Sequence, residues 1–359
     1  MTIAFDATPL AVSTGGVQRY TAELARALAR AYPDDRYWLL SDQDFVTPPS
    51  APANLSPGEK PRGFLDRKWW TWGLPHEIER LGVDVFHGTD FSVPYSKRAP
   101  AVMTLHDLSP WMDRDWQPDA TRVRRRTPWL LRAGFASMVI TPSEAVRRAA
   151  IERFHLDPER VVAVPLASGL VSPTTADAAP RASQQRPYFL FVGTLEPRKN
   201  IARLIDAWRD VRSRHEVDLV LAGRVRSDFA APVPEPGLRV LGAVVEEQLI
   251  PLYRGAVACV YPSLYEGFGL PVLEAMQCGA VVITSRDPAI TEVAGGMTVQ
   301  VDANDTRALV EAMEAVVRSP ESFADLRARA LRRASEFSWD RTARETREVY
   351  DAAIRFFKS

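Results

Sequence analysis

Little in this chain of 359 residues points to a disulfide, a metal or a membrane span. Only two cysteines occur, Cys259 and Cys278, each beside an apolar run. They read as free buried thiols in a reducing compartment, because neither their number nor their spacing makes a disulfide framework or a metal site. Net charge is absent as well: 45 Lys and Arg balance 45 Asp and Glu, so no overall field draws the chain to nucleic acid or lipid. No apolar run approaches the ~18 residues of a membrane span, and Thr2-Ile3-Ala4-Phe5-Asp6-Ala7 reads as a strand rather than a basic leader. The chain is therefore expected to be cytoplasmic. Zinc spacing, a P-loop and the GxGxxG dinucleotide fingerprint are missing too. A hydrophobic share of 46% and a charged share of 25% describe an ordinary soluble globular protein, long enough for two domains.

What is present is an alternation of strands and helices. After the first strand come Gly15-Gly16 and then Val17, Tyr20, Leu24 and Leu28 at helical spacing. This strand, glycine turn and helix either form a plain turn or let backbone amides approach a phosphate. Arg36–Leu40, Val83–Phe86, Ala101–Leu105, Val139–Thr141 and Val161–Val164 read as strands; 41–75 is polar, proline-rich and unassigned. The segment 168–187 lacks an apolar period and reads as a linker. A second set follows, with strands at Tyr188–Val192, Asp218–Ala222, Leu238–Leu241, Val257–Tyr261, Ala280–Thr284 and Met297–Val301, and helix from about Asp305 onward. The expected fold is α/β: two doubly wound domains, 1–167 and 188–339, facing each other across a cleft.

The chemistry concentrates in Tyr261–Thr284. Glu266 and Glu274 lie eight positions apart, separated by Gly267, Gly269 and Pro271. Pro271 suits a first helical turn and Gly279 a stop, so Glu266 falls in a loop and Glu274 in the first turn after it. Two carboxylates facing one cleft beside a helix start suit a polyol joined to phosphate, and a nucleotide sugar has diols at both ends of a diphosphate. The first strand of the second domain runs into Gly193-Thr194-Leu195-Glu196-Pro197-Arg198-Lys199-Asn200, where Arg198 and Lys199 supply cations for that diphosphate. His106 closes an apolar strand, where groups collect in open α/β sheets; it serves either the reaction or a nearby loop. Asp42-Gln43-Asp44 and Asp113-Arg114-Asp115 match a DxD pattern but follow no clear strand, so they read as solvated surface. Arg122–Phe135, RVRRRTPWLLRAGF, is basic and partly amphipathic. It either rests on anionic lipid with Trp129, Leu130 and Leu131 dipping in, joined by Trp69, Trp70 and Trp72, or it is core with a solvated arginine rim. Pro128 is expected to interrupt its helix.

The run Glu266-Gly267-Phe268-Gly269-Leu270-Pro271-Val272-Leu273-Glu274-Ala275-Met276, with Gly193–Asn200, resembles glycosyltransferase family 4, whose members have the GT-B fold of two Rossmann-like domains. Gly15-Gly16, Leu105-His106-Asp107, Thr141-Pro142-Ser143-Glu144 and Leu221-Ala222-Gly223-Arg224 fall in the family's order, so the likeness spans nearly the whole chain. It implies sugar transfer from a nucleotide donor with retention of configuration, no cofactor and no required metal. By that resemblance Glu274 binds the ribose diol, Glu266 the donor sugar hydroxyls, and Arg198 with Lys199 the diphosphate. Gly193, Thr194, Gly267, Phe268, Gly269 and Leu270 line the donor, His106 faces its sugar, and the Gly15 and Gly16 amides approach the phosphate and acceptor. Thr194 stands where many relatives carry arginine, which passes that charge to Arg198. The resemblance also implies a final helix, about 340–359, packed on the first domain.

The expected activity is hexosyl transfer to a saccharide or lipid-linked acceptor in surface polysaccharide or glycolipid synthesis. The acceptor proton goes to the departing phosphate oxygen, without a covalent glycosyl-enzyme. GDP-mannose is the expected donor, from the likeness of Gly193–Asn200 to mannosyltransferase relatives. The alternatives are a UDP-sugar donor, a GT-B sugar-nucleotide epimerase, or a silent nucleotide-sugar-binding subunit. The presence of His106, Lys199, Glu266 and Glu274 together disfavours the last of these.

Overall fold

The computed structural model describes residues 1–12, 15–61, 63, 67–170 and 186–358, apart from the side chain of Glu246. Most of the expected linker, 171–185, lies outside the described residues. The chain divides into two compact units: Met1–Gly169 with Ser338–Ser359, and Leu170–Phe337.

The first unit is built on seven parallel strands: β1 Thr2–Asp6, β2 Arg36–Leu40, β3 Leu55–Pro57, β4 Val85–Gly88, β5 Ala101–Thr104, β6 Met138–Thr141 and β7 Val161–Ala163. Their order is β3-β2-β1-β4-β5-β6-β7. β4, β5 and β6 are buried along their whole length, the pattern of strands covered on both faces. The unit's helices are α1 Gly16–Ala31, α2 Leu74–Arg80, α3 Thr121–Arg132 and α4 Glu144–Phe154. The chain's last helix, Trp339–Lys358, also belongs here. Its Ala343, Val349, Tyr350 and Ala353 share one apolar core with Leu24 and Leu28 of α1 and with Phe5, Leu39, Val85 and Val102 of the sheet.

Two features of this unit depart from the sequence reading. The unassigned 41–75 stretch holds β3 and a π-helical turn, Trp69–Gly73, that runs into α2. β3 is short and weakly apolar; the preceding Asn54 anchors it, its side-chain amide donating to the carbonyls of Ala29, Tyr32 and Asp35 at 3.0, 3.2 and 3.0 Å. Pro128 does not interrupt α3, which runs through it. Proline removes the donor that the Arg124 carbonyl needs, and the Trp111 indole N–H supplies it from outside at 3.2 Å.

The second unit has six parallel strands: β8 Tyr188–Val192, β9 Asp218–Ala222, β10 Leu238–Gly242, β11 Ala258–Tyr261, β12 Val282–Ser285 and β13 Val299–Val301. They are ordered β10-β9-β8-β11-β12-β13. Between them run α5 Ile201–Arg212, α6 Glu246–Gly255, α7 Leu270–Gln277 and α8 Pro288–Ala294. After β13 the expected continuous helix is three: α9 Thr306–Arg318, α10 Ala324–Ala334 and the last helix, now α11. Both sheets are parallel with crossover helices, so each unit is doubly wound. Strand order reverses at β1/β4 in the first sheet and at β8/β11 in the second, where such sheets open a crevice at their carboxyl ends.

Candidate active site

The β8/β11 reversal fixes the second unit's polar centre. β8 ends in Gly193, whose φ is +147°, and β9 ends in Gly223, whose φ is +146°. A Cβ on Gly223 would lie 1.9 Å from the Gly193 carbonyl oxygen, so these strand ends meet only as glycines. The chain then passes half-buried Thr194 and makes one tight turn, Pro197–Lys199, which aims Arg198 and Lys199 toward the loop after β11. There Lys199 Nζ donates to both oxygens of Glu266, at 2.6 and 2.7 Å. Arg198 donates to the same carboxylate at 3.1 Å and to the Tyr265 carbonyl at 3.2 Å. The Ser263 hydroxyl adds a bond at 2.8 Å.

Lys199 and Glu266 are each 8% exposed. Burial alone would raise the Glu266 carboxyl, but Lys199 and then Arg198 outweigh it and hold the group below the usual carboxylate range. The network continues outward through Glu196, paired with Arg198 at 2.7 Å and with Arg226 at 3.4 Å. From the other side Asp287 accepts the Glu266 N–H at 3.1 Å and caps α8 through the Ala289 and Ile290 amides at 2.9 and 3.0 Å. Burial nevertheless lifts the Asp287 carboxyl to about 6. Ser263, Glu196 and Asp287 were missed in the sequence, although Asp287 before Pro288 carries the signature of a helix cap.

After Glu266 the chain turns through Gly267, Phe268 and Gly269 into α7. Gly269 is the N-cap with φ +90°, and a Cβ there would press on Ile290 at 3.2 Å. Phe268 points its ring at Phe337, 5.9 Å away, so its side chain is spent on packing. Leu270 opens the helix and is half-buried. Glu274 falls in the second turn rather than the first; it is 3% exposed and accepts the Tyr253 hydroxyl at 2.8 Å.

In the first unit Gly15 is the N-cap of α1, with φ +146°, and space around Gly15 and Gly16 is open. His106 lies just past β5 and is half-buried. Its Nε2 donates to the Thr89 carbonyl at 2.7 Å, and the Thr89 hydroxyl donates to the Asp6 carbonyl at 2.8 Å, lacing together the ends of β1, β4 and β5. A carbonyl only accepts, so in the neutral ring Nε2 carries the proton. Nδ1 is then an acceptor with no partner among the described residues. The loop contact expected of His106 is therefore made through Nε2. Asp6, missed in the sequence, is 3% exposed and accepts the Thr8 N–H at 3.0 Å; burial lifts its carboxyl to about 6. Burial likewise raises Asp90 beside it.

The basic segment differs from its lipid-facing reading. Leu130 and Leu131 are 0% and 7% exposed, and Trp69 is 3% exposed, so these three are core and cannot dip into lipid. Arg124 donates to the Pro110, Gln117 and Pro118 carbonyls at 3.3, 2.7 and 3.1 Å, and Arg126 stacks on Trp70 at 5.1 Å. Trp129 and Trp72 remain outward, 49% and 55% exposed. Of the DxD aspartates, Asp113 caps its own turn through the Asp115 N–H and Asp44 pairs with Lys60.

The family described as Glycosyltransferase Family 4 matches residues 14–167, and the one described as Glycosyl transferases group 1 matches 186–319. The chain is similar to O-antigen chain mannosyltransferase B of Escherichia coli, 29% identical over 98% of this chain and 99% of that one. Among solved structures, sucrose-phosphate synthase from Thermosynechococcus elongatus superposes with a TM-score of 0.75 at 20% identity, covering 98% of each chain. Anabaena HepE in complex with UDP and glucose gives 0.68 at 19% identity, covering 97% of this chain and 98% of that one. With residues 14–167 of the first unit matched by the one family and 186–319 of the second by the other, the chain is a glycosyltransferase of the GT-B fold.

Proposed function

We propose that this enzyme transfers a mannosyl group from GDP-mannose, with retention of configuration, to a saccharide or lipid-linked acceptor in surface polysaccharide synthesis. The carrying observation is the Glu266 carboxylate gripped by Lys199 and Arg198 at the β8/β11 reversal. As the bond from sugar to diphosphate breaks, negative charge grows on the leaving phosphate. Cations already fixed and dehydrated stabilise that charge with little reorganisation. Without donor, Glu266 balances both cations; with donor, the diphosphate shares them, and the carboxylate turns oxygens toward sugar hydroxyls. Glu274 takes the ribose diol, and His106 Nδ1 accepts from a donor sugar hydroxyl. No side chain is needed as base, because the departing phosphate oxygen takes the acceptor proton on the face it leaves. The mannosyl and polysaccharide assignments draw on the Escherichia coli relative.

A thermal-shift panel tests this. GDP-mannose and GDP should raise the melting temperature, by about 3 kcal/mol of stabilisation at a hundredfold excess over Kd. Stabilisation by UDP-sugars instead would reassign the donor; silence across the panel would remove the nucleotide-sugar reading. Retention is read from the anomeric configuration of the product.

The protein also meets anionic lipid through exposed Trp72 and Trp129 with Arg122, Arg125 and Arg132, all on the surface. No helix among the described residues is long and apolar enough to cross a membrane. We place the enzyme in the cytoplasm, peripheral to the membrane. Salt-sensitive binding to phosphatidylserine vesicles is expected, lost when Arg122, Arg125 and Arg132 become Glu. Arg124 and Arg126 are poor choices for that variant, being tied into the fold. A parent protein that ignores such vesicles would end the lipid reading.

A further inference from the structure

Behind His106 runs a chain of four buried polar side chains to which neither catalysis nor donor binding assigns a part. His87, 0% exposed on β4, sits between two hydroxyls: its Nδ1 is 2.7 Å from the Tyr350 hydroxyl and its Nε2 is 2.8 Å from Thr104 Oγ1. Thr104, at the end of β5, is also 2.9 Å from the Tyr20 hydroxyl. The Tyr20 ring stands edge-on to the His106 ring, centroids 4.9 Å apart at 86°. The chain thus begins on α11, crosses two adjacent strands and ends on α1, against the imidazole whose Nδ1 is available.

Three properties make these contacts a single device. Burial, with a smaller contribution from His106, pushes the His87 imidazole down to about 3, so the ring is neutral in ordinary buffers. A neutral imidazole has one donor and one acceptor nitrogen, so the sense of its bond to Tyr350 dictates the sense of its bond to Thr104, and when Thr104 donates to His87 its hydroxyl can only accept from Tyr20. The Tyr20 ring is itself held by its hydroxyl at one end and by α1 at the other. A ring pinned at both ends restricts the neighbour packed against it. For packing alone, phenylalanine in place of either tyrosine would bury the same apolar surface without a polar group to satisfy.

We propose that Tyr20, Thr104, His87 and Tyr350 are positioning residues for His106, through which the last helix of the chain holds the orientation of the donor-facing imidazole. This rests on the role given to His106 in the proposed function. The residues touch no substrate; they act by keeping the His106 ring from turning away from its bond to Thr89, so that Nδ1 stays presented.

Histidine-selective 15N labelling of the full chain tests the positioning without any substrate, since the sequence has five histidines and His106 is assigned by its loss in His106→Gln. The parent should show His106 as one species protonated at Nε2. In Tyr20→Phe, and less strongly in Tyr350→Phe, the two His106 nitrogen signals should broaden and move toward each other as the ring samples other orientations. His106 signals unchanged in both variants would overturn the proposal. Turnover of GDP-mannose supplies the second arm. We expect kcat to fall about 10-fold in Tyr20→Phe and about 3-fold in Tyr350→Phe with donor KM nearly constant, and neither substitution to lower kcat further in a His106→Ala background. Additive losses in that background would return the chain to a purely structural part. A His106→Ala enzyme with parental kcat would instead remove the role given to His106, while the labelling result would still report whether the ring is held.

Discussion

Lys199→Ala is expected to lower donor turnover by ~10²-fold or more, the scale for losing a fixed charge partner of a transition state. The ammonium sits within 2.7 Å of both Glu266 oxygens, so its removal has two separable consequences. In catalysis, the leaving diphosphate loses a dehydrated cation that Arg198 replaces only in part, because Arg198 is also engaged by Glu196 and the Tyr265 carbonyl. In stability, Glu266 stays buried with one cation fewer. Melting the variant alongside the assay separates them: the loss should persist at temperatures where the variant is fully folded. Lys199→Arg keeps the charge but exchanges a compact ammonium for a planar fork, and should recover only part of the rate. Near-parental turnover in Lys199→Ala would sink the assignment of the diphosphate site.

The second large effect concerns stability and its pH dependence. The Asp6 carboxyl is lifted to about 6 from its usual 3.8, chiefly by burial. The folded chain therefore holds this proton more tightly than the unfolded chain. Below the unfolded pKa the group is protonated in both states and has no effect. As pH rises toward 6, the unfolded state ionises first, and stability declines; above 6 the deficit is constant, at about 3 kcal/mol by the linkage relation. Asp6→Asn keeps an acceptor for the Thr8 N–H and removes the ionisation. It should match the parent near pH 4 and be more stable by about 3 kcal/mol at pH 7, checked by denaturant titration at both values. An equal difference at the two pH values would show that packing, not charge, is responsible.

Strands such as Tyr188–Val192 and Asp218–Ala222 were legible to the residue, because a parallel strand covered on both faces must be a continuous apolar run. β3 was not legible, since Asn54 holds it by three carbonyls rather than by its own apolar character. The continuity of α3 was equally hidden: the donor that replaces the missing proline N–H comes from Trp111, outside the helix. At the candidate site, Arg198, Lys199, Glu266 and Glu274 stood out as charges beside glycines and a helix start. Their pairing did not. Both cations converge on Glu266, while Glu274 takes a tyrosine from α6, a choice made by which strands lie side by side at the sheet's reversal. His87 and Tyr350 were invisible as partners for a simpler reason: 263 positions separate them, and neither residue type announces a contact.

The return of α11 to the first unit has a consequence for synthesis. A ribosome delivers 1–169, then the whole of 170–337, and only then the helix that contributes Ala343, Val349, Tyr350 and Ala353 to the core around Phe5, Leu24 and Val102. The unit that emerges first is therefore the last that can be completed. Until then its nascent core carries an uncovered apolar face, while the later unit already has every strand it needs. Such a chain needs protection from aggregation at its beginning and folds to completion from its end.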